Sequence, residues 1–177
     1  MLFRSTYGGV RFVGLDTIDV DDLWYYGHID AAQMEWLRRD LAAAPPGTPV
    51  VTFNHIPLAS AVDVLHGYTE ESPAPSLIRV AGKSQYRHVV SNTDELLAAL
   101  GSHKLEIALG GHMHTRETLV YPIANGTLRF HQAAAIVGPT TVGGIAAPSG
   151  VTLYRVRDGK VDDGTFIPLD EPAPAKP

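Results

Sequence analysis

The sequence contains no cysteine, no cluster of basic residues and no apolar run long enough to cross a membrane. Without cysteine there are neither disulfides nor thiolate metal ligands, so any metal site would depend on imidazole and oxygen ligands. A net charge of −5 argues against nucleic acid as a partner. The first residues lead directly into strand-like sequence, without the pattern of a signal peptide. None of these absences fixes a compartment.

The composition is typical of a soluble globular protein. The 177 residues correspond to one domain or part of one. Hydrophobic residues make up 45% of the chain, which is enough to build a core.

Strand and helix patterns alternate through the first 110 residues. Apolar strands are predicted at 11–15, 50–53 and 105–109, with a helical pattern between each pair. This order predicts parallel strands joined by right-handed crossovers.

Local signals mark the ends of the two predicted helices. Asp30 fits the N-cap of the first helix, with Gln33 at its third position, as in a capping box. The helix is expected to end before Pro45. Thr93 is predicted to cap the second helix, and Gly101 lies just past its end.

The C-terminal part of the chain reads as antiparallel strands. Asp158 and Gly159 form a two-residue hairpin signal between the last two of them. The predicted strands are about 117–122, 127–137, 151–157 and 160–167.

Two short histidine-bearing runs follow buried strand patterns, at 53–57 and at 110–114. In open α/β sheets, ligands bind beyond the carboxyl ends of the strands, and His55, His112 and His114 are expected at that edge. A separation of 57 residues between the first two fits one long crossover, so adjacent strands can bring them together. Imidazoles placed there beside glycines favour a metal site.

Each of these histidines also has a purely structural alternative. His55 could be a loop residue that packs against Pro57 or bonds to backbone. His112 and His114 could be solvated side chains of a glycine-rich turn. The three together favour metal ligation.

These residues resemble two of the five ordered motif blocks of the calcineurin-like metallophosphoesterases. His55 matches the family's lone histidine after a strand, and 111–114 match its Gly-His-x-His block. Residues 7–17 look like the strand after the family's third block, and 33–37 resemble its pattern on the following helix. The resemblance covers roughly 3–167 but only the C-terminal half of the family domain. Its first three blocks, Asp-x-His, Gly-Asp-x-x-Asp and Gly-Asn-His-Asp/Glu, are absent.

The resemblance implies an α/β fold for residues 1–169. It would be half of a metallophosphoesterase-type α/β sandwich, with a mixed sheet and antiparallel C-terminal strands. Residues 170–177 are predicted to be a disordered tail. Because half a sandwich leaves apolar surface and a strand edge uncovered, self-association or a separate N-terminal half is expected.

The function implied by the resemblance is metal-dependent hydrolysis of phosphomono- or diesters. The complete family site holds two divalent ions (Mn, Fe or Zn) and takes a phosphate-ester small molecule. By the same resemblance, His55 and His112 would bind one ion and His114 the other. The family's bridging Asp, metal-binding Asn and acid histidine have no matching positions here. The alternative is therefore a non-catalytic metal- or ligand-binding module, or an incomplete fragment without turnover.

Three further residues are candidates for supporting roles. Asn54 could orient the histidine that follows it or simply form a turn. Arg116 could contact a phosphate or make a surface salt bridge. His88, in a long polar segment over 66–92, could contact substrate.

Overall fold

The computed structural model describes residues 3–67 and 75–169. The predicted tail at 170–177 lies outside these ranges. Residues 68–74 of the polar segment over 66–92 also lie outside them. No helix among the described residues is long and apolar enough to span a bilayer.

The described residues form three helices and sixteen short strands. The helices are α1 (Ala31–Ala42), α2 (Val62–His66) and α3 (Thr93–Leu100). The strands up to α3 are β1 (Phe3–Tyr7), β2 (Val10–Gly14), β3 (Ile18–Asp21), β4 (Trp24–Gly27), β5 (Pro49–Phe53), β6 (Leu77–Val80) and β7 (Lys83–Tyr86). Those after α3 are β8 (Lys104–Gly110), β9 (Glu117–Ile123), β10 (Gly126–Gln132), β11 (Thr140–Val142), β12 (Ile145–Ala147), β13 (Gly150–Leu153), β14 (Val156–Arg157), β15 (Lys160–Val161) and β16 (Thr165–Pro168).

A six-stranded mixed sheet organises the fold, in the order β1-β2-β5-β8-β10-β9. Strands β2, β5 and β8 run parallel to one another, as the alternating pattern predicts. Strand β10 is also parallel to β8, although its segment was predicted to be antiparallel. The outer strands β1 and β9 are antiparallel to β2 and β10. The prediction of an α/β fold with a mixed sheet is therefore confirmed at this coarse level.

Helices α1 and α3 contact each other, and their apolar residues pack with the sheet in the larger core. Met34, Leu37 and Leu41 of α1 are buried there beside Leu96 and Leu100 of α3. Full burial of such a side chain stabilises the fold by about 1.5–3 kcal/mol.

The opposite face of the sheet is only partly covered. A smaller core joins Val51 and Ile107 to Val161 of the β14–β15 hairpin. Towards the carboxyl ends of the strands, Phe3 remains 53% and Phe53 37% exposed. Their rings meet edge to face, 5.9 Å apart. This part of the sheet face is therefore incompletely covered.

The helix signals were correct in one case and displaced in the other. Asp30 is the N-cap of α1, and its side chain accepts a bond from the Gln33 amide, 2.8 Å long. For α3 the prediction of Thr93 as cap is wrong by one residue, because Asn92 is the N-cap. The hydroxyl of Thr93 instead donates to the carbonyl of Leu58. Gly101 follows α3, as expected.

The predicted C-terminal strands are interrupted. The strand expected at 127–137 ends at Gln132, and it pairs in parallel with β8 as well as antiparallel with β9. The expected strands 151–157 and 160–167 are each split in two. Asp158 and Gly159 do form the β14–β15 turn, with both φ angles positive.

Besides the β11–β12 hairpin, two further hairpins were not predicted. Strands β3 and β4 form one, and β6 and β7 form another within the segment that was expected to be irregular. Val90, just after the second hairpin, lies beside Gly27 at the end of the first. A Cβ on Gly27 would stand 2.1 Å from the carbonyl oxygen of Val89, so this approach requires glycine.

Candidate metal centre

His55 and His112 face each other at the carboxyl edge of the sheet. Each follows one of two adjacent parallel strands, β5 and β8. The Nε2 atom of His55 lies 3.1 Å from Nδ1 of His112, and the ring centroids are 5.0 Å apart. The structure therefore brings together two of the three predicted histidines.

Backbone hydrogen bonds lock the two histidine loops to each other. The amide of Asn54 donates to the carbonyl of Leu109, and the amide of Gly111 donates to the carbonyl of His55. Gly110 is needed for this contact, since an added Cβ would lie 2.8 Å from Cβ of Pro57. The glycine noted in the sequence thus allows the close approach of the two loops.

The histidines of the second loop have an unusual backbone conformation. His112 has a φ of 75° and His114 a φ of 57°, both in the left-handed region that non-glycine residues rarely occupy. Such conformations cost of order 1 kcal/mol and cluster at functional sites.

Tyr25 on β4 contacts the ring nitrogen of His112 that does not face His55. Its hydroxyl lies 3.2 Å from Nε2 of His112. The ring of Tyr25 is itself covered by the guanidinium of Arg87, 4.4 Å from the ring centroid, which is also 4.6 Å from the ring of Trp24. Arg87 is buried and donates to the carbonyl of Pro75. Tyr25 was missed in the sequence, because no motif marks it.

A buried carboxylate holds His88 beside the same cluster. Nδ1 of His88 lies 2.7 Å from Oδ1 of Asp63, whose side chain is only 4% exposed. The ring of His88 is 5.4 Å from that of His112. The Oδ2 atom of Asp63 is buried and finds no hydrogen-bond partner among the described residues. Asp63 was also not identified from the sequence, and His88 was predicted only as a substrate contact.

The environment of His112 favours its neutral form. Its pKa is lowered to about 4, mainly by burial and in smaller part by the nearby His88, His55 and His114. A neutral imidazole is the form that binds a metal ion.

The side chains of the other predicted site residues make no hydrogen bond with this cluster within the described ranges. His114 is exposed, and its imidazole makes no hydrogen bond with the clustered histidines among the described residues. Asn54 donates its side-chain amide to the carbonyl of Ile56, which corresponds to the turn alternative. Arg116 lies over the ring of Phe166 at 5.3 Å; no salt bridge of its side chain occurs in the described ranges.

The donors present suit one imidazole-preferring ion. Nitrogen ligands favour Zn²⁺, Co²⁺, Ni²⁺ or Cu²⁺, whereas a pair of hard dications normally requires carboxylates as well. Among the described residues, the carboxylate of Asp63 contacts the cluster, and it is already bonded to His88. Within 3–67 and 75–169, no three His, Asp or Glu side chains converge closely enough to form a ready-made site. The described residues thus fit a mononuclear centre better than a dinuclear one.

An open groove borders His55. It has a volume of ≈ 440 Å³ and runs from Phe3 and Phe53 to His55 and Gly111. Its walls are mainly apolar side chains and backbone. A ligand that approaches His55 from this side would therefore meet a largely uncharged surface.

Comparison with known proteins leaves the family open. No protein-family model matches the chain, and no curated protein matches it in sequence. Among solved structures, a single-residue variant of Vps29 from Entamoeba histolytica is similar over 90% of this chain and 99% of that chain. The identity is 11% and the TM-score 0.27. A likeness this weak carries no argument about function.

Proposed function

We propose that this chain is the histidine-bearing part of a metal-dependent phosphoesterase that hydrolyses phosphomono- or diesters. The observation that supports this most is the 3.1 Å approach of His55 to His112 at the carboxyl edge of two parallel strands. The Gly-His-x-His run and its glycine-dependent packing add to it. The resemblance to the metallophosphoesterases supplies the reaction class.

The residues of the chain would act by binding and orientation. His55 and His112 would be the protein ligands, and Tyr25 would fix the ring of His112 from its other nitrogen. A divalent ion bound here would supply a water of lowered pKa and stabilise charge on phosphate oxygens. The groove beside His55 would receive the ester group of the substrate.

A second candidate is a metal-binding module without turnover. Among the described residues, the His55–His112 pair has no carboxylate that could bridge two ions, since Asp63 is bonded to His88. A single ion on imidazoles would give a structural or ligand-binding centre. The two proposals share the metal and differ in hydrolysis.

Metal content and hydrolysis together test both. The purified chain is loaded with Zn²⁺ or Mn²⁺, desalted, analysed for metal and assayed with bis-p-nitrophenyl phosphate. Wild type is expected to retain metal and hydrolyse the ester, and His55→Ala to lose both. His103→Ala is the control, because His103 lies outside the cluster.

The outcomes separate the two candidates. Retained metal without hydrolysis would support the binding module. A chain that retains no metal, or a His55→Ala variant that retains as much as wild type, would overturn both proposals.

A further inference from the structure

We infer that His88, held by Asp63, is the third nitrogen donor of the centre. The chain would then bind one transition-metal ion of the Zn²⁺ or Co²⁺ type through His55, His112 and His88. This rests on the metal site of the proposed function but not on hydrolysis.

The ring spacing agrees with shared ligation of one ion. With metal–nitrogen distances of about 2.0–2.1 Å and tetrahedral angles, two bound nitrogens stand about 3.3 Å apart and the ring centroids about 5 Å apart. The nitrogens of His55 and His112 are 3.1 Å apart, and their centroids 5.0 Å. The centroids of His88 and His112 are 5.4 Å apart. His88 is therefore at ligand spacing from His112.

Asp63 fixes which nitrogen His88 can offer. Because Nδ1 is bonded to the carboxylate, Nε2 is the nitrogen left for an ion. Metal-binding histidines commonly donate their second N–H to a carboxylate in this manner, which orients the ring and raises its basicity.

The burial of Asp63 also points to a cation. Its carboxylate is 4% exposed, and Oδ2 lacks a hydrogen-bond partner among the described residues. A buried oxygen left without a hydrogen-bond partner is energetically unfavourable. An ion on Nε2 of His88 would offset that penalty, since its positive charge would lie one imidazole away from the carboxylate.

The backbone that carries His88 is anchored on both sides of the site. The amide of Val90 donates to the carbonyl of Pro57, two residues beyond His55, and the amide of Ser91 donates to Gly27. The three rings do not converge on one point within the described ranges, so binding would include rotation of imidazoles about their side-chain torsions. The anchored backbone would keep their spacing during that rotation.

Titration of the full chain with Co²⁺ tests the inference. The dissociation constant is measured by calorimetry, and the number of bound nitrogens by X-ray absorption. The variants are His88→Gln and Asp63→Asn. The control is His28→Gln, because His28 also pairs with a carboxylate, Asp19, at 3.4 Å but lies outside the cluster.

We expect His88→Gln to weaken Co²⁺ binding by tenfold or more and to remove one nitrogen from the ion. Asp63→Asn should weaken binding by about 10- to 100-fold with the nitrogen count unchanged. His28→Gln should match wild type.

Two results would overturn the inference in distinguishable ways. If His88→Gln binds within about twofold of wild type while His55→Ala loses the ion, only the role of His88 fails. If wild type binds no ion, the proposed function fails with it. A variant that no longer melts cooperatively is excluded from the comparison. The number of nitrogens bound to Co²⁺ in wild type then decides, because three histidine nitrogens would support the inference and two would contradict it.

Discussion

The hydroxyl of Tyr25 lies 3.2 Å from Nε2 of His112, 87 residues further along the chain. This contact leaves Nδ1 of His112 as the nitrogen that faces His55. Hairpin β3–β4, which the sequence did not predict, therefore determines which nitrogen of His112 faces His55.

Replacing Tyr25 by Phe should weaken metal binding without unfolding the protein. The ring would keep its place under Arg87, but His112 would lose the group that orients it, and a loss of about tenfold in affinity is expected. Zn²⁺ affinity by calorimetry measures the effect. Tyr26→Phe is the matched control, because the hydroxyl of Tyr26 bonds to Asp19 instead. Equal affinities of the two variants would contradict the role of Tyr25.

Replacing Gly110 by Ala should destabilise the chain, whereas Gly111→Ala should be tolerated. The new Cβ at Gly110 would lie 2.8 Å from Pro57, but at Gly111 the nearest atom is 3.7 Å away. Overpacking of this kind lowers the free energy of unfolding by about 1–3 kcal/mol. Urea unfolding of both variants gives the comparison. The prediction fails if the two glycines tolerate alanine equally.

Acid should destabilise the metal-free chain partly through His131. Burial, aided by nearby Arg129, lowers the pKa of His131 below its ordinary value of 6.5. Below that pH the unfolded chain binds a proton that the folded chain resists, so stability is complete above about pH 6.5 and falls as the pH decreases. Urea unfolding in chelator at about pH 7.5 and about pH 5.5 measures the loss.

The control for this pH effect is His131→Asn. Asparagine can still bond the hydroxyl of Tyr154, which lies 3.0 Å from Nδ1 of His131, but it does not titrate. The variant should lose less stability than wild type between the two pH values. An unchanged loss would show that other groups account for the acid sensitivity.

The ion pairs of Asp40 should contribute to stability far more than an exposed pair on the same helix. Asp40 on α1 is fully buried and accepts bonds from Arg4 and Arg11, which joins α1 to strands β1 and β2. Asp40→Asn should lower the free energy of unfolding by about 2 kcal/mol, because Arg11 would lose its partner. Glu35→Gln, which removes only the exposed bond to Arg39, should change it by less than about 0.5 kcal/mol. Comparable losses would contradict the prediction.

The sequence predicted well those features that depend on neighbours along the chain. The Asp30–Gln33 cap and the Asp158–Gly159 turn are formed by residues within three positions, and both are present. The parallel order of β2, β5 and β8 follows from the alternation of strands and helices.

Features that depend on distant contacts could not be predicted in this way. Asn92 replaces Thr93 as N-cap while its side chain bonds both backbone groups of Ile29, 63 residues away. Tyr25 of hairpin β3–β4 and Asp63 of helix α2 reach the histidine cluster through such distant contacts. No periodicity or motif marks either residue. Two of the three predicted ligands are adjacent because their strands β5 and β8 pair in parallel, which the alternating pattern predicts, whereas no pattern predicts the residues that orient the cluster.

The positive φ angles of His112 and His114 have a consequence for the stability of their loop. Glycine or asparagine would fit this backbone with less strain, so each imidazole is held there at a cost in backbone conformation. A change of side chain at either position therefore alters the stability of the loop as well as its chemistry.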